Sequence, residues 1–248
     1  MVEYTLLKNA PITEALIDLR VKIKEGFDVE QFQSLAGAIS GKYPDKKTRH
    51  RWEGRVEFKK GGEPSSSGTE TIDGYIFTSA DKRQVFQARI DGFTFNRLKP
   101  YDKWESFRDE ARQLWKLYSD LVSPEIVRVA LRYINKFEIP LISQPSIKLS
   151  DFLAAAPIVP KGIPQGVSSF LSRVVVHDPE TDADAIITQA FEQIVDPKFI
   201  PLILDIDVFK QKELISEEEA WQTLEKLRHF KNNIFFKSIT EKAKELFR

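Results

Sequence analysis

Several stretches of this chain alternate charged and apolar residues with a period of two, and that pattern narrows the fold more than any other feature. Residues 127–137 (VRVALRYINKF) place Arg128, Arg132 and Lys136 on one side of an extended strand and Val129, Leu131, Tyr133 and Phe137 on the other. Residues 202–209 (LILDIDVF) do the same with Asp205 and Asp207. Near the start, Ala15, Ile17, Leu19, Val21 and Ile23 alternate with Glu14, Asp18, Arg20 and Lys22, and only Leu16 breaks the period. Successive strand side chains point to opposite faces, so such strands build a sheet with one apolar face to cover and one polar face to leave open or fill.

Helices able to cover the apolar face are also legible. Trp104, Phe107, Ala111, Leu114, Tyr118 and Leu121 recur three or four apart, and a second stripe runs from Trp221 through Leu224 and Leu227 towards Phe247. Ser216 and Glu219 form a capping box ahead of that second helix. Asp28 caps a shorter helix expected to run to about Ser40, with Pro44 and the basic run after it closing that helix. Further strands are expected over residues 52–59, 72–78, 84–90, 93–98, 168–176 and 184–191, with a tight turn at Asp91-Gly92 and a Gly/Ser-rich loop over 60–69. The order of elements restarts near residue 125. The expectation is an α+β protein of two strand–helix–strands–helix halves, 1–124 and 125–248, either separate or joined in one continuous domain. Together they make a large antiparallel sheet covered on one face by two long helices, a helix-grip or saddle-like layout.

Composition excludes several functional classes. Lys+Arg and Asp+Glu are both 37, so no long-range field draws the chain to nucleic acid or to an anionic membrane. There is no cysteine, which removes disulfides, thiolate nucleophiles and zinc–thiolate sites and fits a cytoplasmic setting. No apolar run reaches membrane-spanning length, and no G-x-S-x-G, phosphate-binding loop or dinucleotide fingerprint is present.

The candidate ligand-binding residues follow from the charged strand faces and one strand-to-helix junction. Arg128 and Arg132 oppose Asp205 and Asp207 in sign, and the near balance of acids and bases on these faces favours cross-strand ion pairs over a phosphate tunnel. The paired aspartates also have the spacing to share a divalent cation. Asn96, Arg97 and Tyr101 cluster at the junction NRLKPY, where an amide, a guanidinium and a phenol meet a helix start. Asn135 reads as a core amide needing partners, and Lys226, Arg228 and Lys231 read as the solvated face of the last helix.

Five segments, 10–21 (APITEALIDLRV), 95–104 (FNRLKPYDKW), 129–140 (VALRYINKFEIP), 202–209 (LILDIDVF) and 227–247 (LRHFKNNIFFKSITEKAKELF), together resemble a sporadically distributed, uncharacterised prokaryotic protein family. The resemblance spans nearly the whole chain and implies no activity, ligand or catalytic residue. The residues themselves point to a non-catalytic ligand-binding or protein-interaction module, with a homodimer or other protein partner and a small polar ligand as expected companions. The alternative is a metal-dependent enzyme acting on a phosphorylated or nucleotide-like substrate.

Overall fold

A computed structural model describes residues 7–57, 65–141 and 147–247, the side chains of 55–57 and 65–67 excepted. Its frame is one nine-stranded antiparallel sheet. The strands are β1 (Ile12–Lys22), β2 (Asp45–Glu57), β3 (Ser65–Thr78), β4 (Gln84–Arg89), β5 (Gly92–Leu98), β6 (Glu125–Pro140), β7 (Leu171–Asp178), β8 (Ala183–Phe191) and β9 (Phe199–Ile215). Their spatial order is β2-β3-β4-β5-β1-β6-β9-β8-β7. The first strand of each half, β1 and β6, therefore meet in the middle, and each half runs outward from its own last strand.

The helices are α1 (Leu35–Ile39), α2 (Trp104–Val122), α3 (Glu217–Ser238) and α4 (Glu241–Glu245). Helix α2 packs on β5, and α3 lies over β6 and β9. The expected alternation decides which face they cover. Ala15, Ile17 and Leu19 of β1, Val129, Leu131 and Phe137 of β6, and Leu204, Ile206 and Val208 of β9 are all buried beneath them. Phe93 of β5 centres an aromatic cluster there, 5.3 Å from Phe86, 5.6 Å from Trp115 and 6.0 Å from Tyr118 between ring centroids. Among the described residues, no helix is long and apolar enough to cross a membrane.

Several element boundaries differ from the sequence expectation. The Asp28-capped segment is a 3-10 helix over Val29–Ser34 that widens into α1 only at Leu35. The basic run after Pro44 is no terminator but the first half of β2, and Trp52 on that strand is 70% exposed rather than packed. Of the expected loop over 60–69, Ser65 to Thr69 belong to β3, while 60–64 lie outside the described residues. The last helix does not continue to Phe247. It stops at Ser238, Ile239 turns extended, and Thr240 caps α4 by accepting a bond from the Ala243 amide. A side chain with its own capping chemistry two residues past Ser238 starts a separate short helix.

Candidate functional site

On the open face, the charges of neighbouring strands join into one alternating chain of ion pairs. It runs Asp73, Arg51, Asp91, Arg20, Asp18, Arg128, Asp207, from β3 at one side to β9 at the other. Asp18 of β1 is its centre. It accepts from Arg89 Nη2 at 2.8 Å, the Thr94 hydroxyl at 2.8 Å, and Arg20 Nε and Arg128 Nη1 at 3.3 Å each. Burial alone would raise the Asp18 carboxyl, but Arg89, Thr94 and Arg20 outweigh it and hold the group below the usual aspartate range.

Local sequence makes this convergence fit. Arg89 is almost fully buried, and its guanidinium reaches Asp18 by passing over Gly92, where a Cβ would stand 2.6 Å from Arg89 Nη2 and 2.6 Å from the Leu19 carbonyl. Only glycine leaves that passage open. Asp91 and Gly92 thus do more than turn the β4–β5 hairpin. Asp91 accepts from Arg51 at 2.9 Å and Arg20 at 3.2 Å, while Gly92 admits Arg89.

A second pair flanks the chain. Arg132 donates Nε to Asp205 Oδ1 at 2.8 Å and Nη2 to Asp205 Oδ2 at 2.6 Å, a two-bond fork that occupies both carboxylate oxygens. Asp207 is held differently. Its Cα partner across the β6–β9 ladder is Arg132, yet its guanidinium contact is Arg128 Nη2 at 3.4 Å. Burial raises the Asp207 carboxyl above the usual aspartate range, Arg128 and Arg132 only partly offset this, and the nearby Asp205 and Asp18 carboxylates add to the rise.

Part of this network borders a cleft of about 420 Å³ on the open face, lined by β1, β6 and β9. Asp18, Arg20, Arg128, Arg132 and Asp207 supply its charge, while Leu16, Val127 and Ala130 supply apolar floor. Arg128 is fixed from beneath by the Phe209 ring, 4.4 Å from the guanidinium carbon. Four of the six sequence candidates, Arg128, Arg132, Asp205 and Asp207, are therefore brought together.

Arg97 and Tyr101 are not part of it. Arg97 shares its strand parity with Phe93 and Phe95, which face the helices, whereas Asn96 faces the open side and donates to Glu14 at 2.6 Å. Tyr101 joins Tyr133 through a 2.8 Å hydroxyl pair on the helix side. Desolvation there pushes the Tyr101 phenol up to about 12. Asn135 is the satisfied core amide that its position required, donating to the Leu204 carbonyl at 2.9 Å.

Two further groups belong to these environments. Arg89 shares its strand parity with Gln87, and that parity is the signal that assigns it to the charged face. Lys231, read as solvated, is buried with its ammonium 3.8 Å from the Tyr133 ring centroid. Its place at the spacing Leu227, Lys231, Ile234 puts it on the apolar stripe of α3, which is the signal that reveals it. Burial, reinforced by Arg228, lowers its amine to about 7.

Among the described residues, no three His, Asp or Glu side chains converge as a bound metal ion would require. No protein-family model matches the chain, and no curated protein matches it.

Proposed function

We propose that this chain is a non-catalytic binding module that takes a small polar ligand in the cleft between β1, β6 and β9. The observation that carries this reading is the position of Asp207. It lines the cleft, lies opposite Arg132 in register, and is left with one long guanidinium contact while every neighbouring carboxylate is closely paired. A ligand that donates a hydrogen bond or a positive charge to Asp207 would complete an interaction that the protein itself leaves weak. The alternating Arg–Asp chain holds the rest of the face rigid, so the cleft is preformed.

The alternative, a metal-dependent enzyme using Asp205 and Asp207, has less support. Both Asp205 oxygens are engaged by Arg132, and a divalent ion would have to break that fork. Balanced charge supports no nucleic-acid role, and the absence of cysteine supports a cytoplasmic one. The meeting of β1 and β6 at the centre, with each half laid outward in the same sequence of strands, supports an internal duplication in a saddle-like arrangement.

Titration calorimetry with methylguanidine as a cationic probe and inorganic phosphate as an anionic one tests the assignment. Binding of methylguanidine that disappears in Asp207→Asn and persists in Tyr101→Phe supports it. Binding unaffected by Asp207→Asn, or binding of phosphate alone, contradicts it.

A further inference from the structure

The two ends of the sheet are chemically unlike. At one end, β2 lies outside β3 and carries Lys46, Lys47, Arg49 and Arg51, the kind of charge with which open edges resist pairing. At the other end is β7. It stands to β8, β9 and β6 as β3 stands to β4, β5 and β1, yet among the described residues no strand lies beyond it. Its sequence, LSRVVVHD, is that of an interior strand left at an edge. Leu171 is 75% exposed, Val174 50% and Val175 54%, so both faces of the strand are open as well as its rim.

The hydrogen-bonding phase of that rim is fixed. The Phe170 carbonyl accepts from the Phe191 amide at 3.3 Å, so Phe170 and every second residue after it turn their backbone groups towards β8. The amides and carbonyls of Leu171, Arg173, Val175 and His177 consequently point outward. Arg173 makes no ion pair among the described residues, while His177 on the same face is paired with Asp184 at 3.1 Å.

We infer that β7 is the interface for a second copy of this chain, which adds its own β7 antiparallel to extend the sheet across a two-fold axis at Val175. In that register Val175 meets Val175, Val174 meets Val176, Arg173 meets His177 beside its Asp184, and Ser172 meets Asp178. Apolar pairs with apolar on both faces, and the unpaired Arg173 gains an acid from the other copy. The register centred on Val174 instead sets Arg173 against Val175 and Leu171 against His177, and shifts by a single residue mismatch the faces. The self-complementarity of one short strand is what selects a second copy over another partner, as a two-fold interface requires. The inference does not draw on the cleft, whose nearest strand, β9, lies two strands in from β7.

Sedimentation velocity on the full chain, from low micromolar to submillimolar concentration, reads the mass. Val175→Lys places like charges directly opposite each other on the axis, and Val175→Cys and Val174→Cys introduce a single thiol into a chain that has none. The expected results are a wild-type dimer, a monomeric Val175→Lys variant with unchanged circular dichroism, and a disulfide-linked dimer from Val175→Cys under mild oxidation but not from Val174→Cys. If Val175→Lys fails to fold, the two cysteine variants decide alone. A wild-type chain that stays monomeric throughout overturns the inference and leaves the strand to a different partner. A dimer that survives Val175→Lys, or that Val175→Cys does not cross-link, overturns β7 as its interface.

Discussion

Arg132 and Asp207 face each other across the β6–β9 ladder, yet the guanidinium of Arg132 turns aside to grip Asp205 with its Nε and Nη2. The choice has a simple cause. A diagonal carboxylate offers a two-bond fork that the directly opposed one does not, and the fork is the stronger arrangement. Its consequence is that one carboxylate on an otherwise paired face is left to a 3.4 Å contact at the edge of a cleft. The functional reading rests on that asymmetry.

Asp18 is the opposite case, and its removal should be costly. Asp18→Ala would leave the buried guanidinium of Arg89 without its 2.8 Å carboxylate. Breaking one side of a buried pair costs roughly 3–5 kcal/mol, so urea denaturation should show a loss of that order. The contribution of Asp18 also depends on pH in a defined direction. Its folded value lies below its unfolded one, so the stabilisation is present above about pH 4 and is lost as pH falls towards the folded value. The acid limb of a stability profile should flatten in Asp18→Asn.

Gly92→Ala tests the passage beneath Arg89. The added Cβ would meet Arg89 Nη2 and the Leu19 carbonyl at 2.6 Å, and the backbone oxygen cannot swing away. The expected loss is about 1–3 kcal/mol, the usual range for overpacking, read by chemical denaturation. A variant as stable as the parent would show that Arg89 reaches Asp18 by another path.

Lys231 makes stability rise with pH. Its amine is lowered to about 7 in the folded chain against about 10.4 when unfolded, so the unfolded chain holds more protons between those values. Stability should therefore increase from about pH 7 to pH 9.5, before tyrosines of the unfolded chain begin to ionise. Lys231→Met should remove this slope and be more stable than the parent at pH 6. Arg228 and the Tyr133 ring are the groups that face the amine, and the raised Tyr133 phenol stays protonated throughout this window.

Ser216→Ala is a local control. The Ser216 hydroxyl accepts from the Glu219 amide at 3.2 Å, so the variant should lose about 1 kcal/mol without altering the open face. Heteronuclear NMR shifts confined to the start of α3 would confirm that the loss is local.

Much of the architecture was legible because period-two alternation is unambiguous where one face is buried. The strands β1, β6 and β9 and the face carrying Arg128, Arg132, Asp205 and Asp207 follow from it, and the stripe of α2 follows from its three- and four-residue spacing. The first half of β2 was not legible, because an edge strand with little to bury shows charge on both faces, and its Lys-Lys-Thr-Arg-His-Arg run reads as a break, whereas the part from Trp52 on reads as a strand. Nearness in sequence groups Arg97 and Tyr101 with Asn96, whereas alternation through Phe93 and Phe95 assigns Arg97 to the helix side. The partner that each guanidinium selects was beyond the sequence, since Arg132 chooses Asp205 over Asp207 through side-chain geometry rather than register.

The most direct test of the central claim is the titration of the aspartate carboxyls by carbon-13 NMR in the free protein. Asp207 should titrate above the ordinary aspartate value of about 3.9 and Asp18 below it, in the same series of spectra. An Asp207 that titrates at or below that value would mean its carboxylate is as well paired as its neighbours, and the cleft would lose the group proposed to hold a ligand.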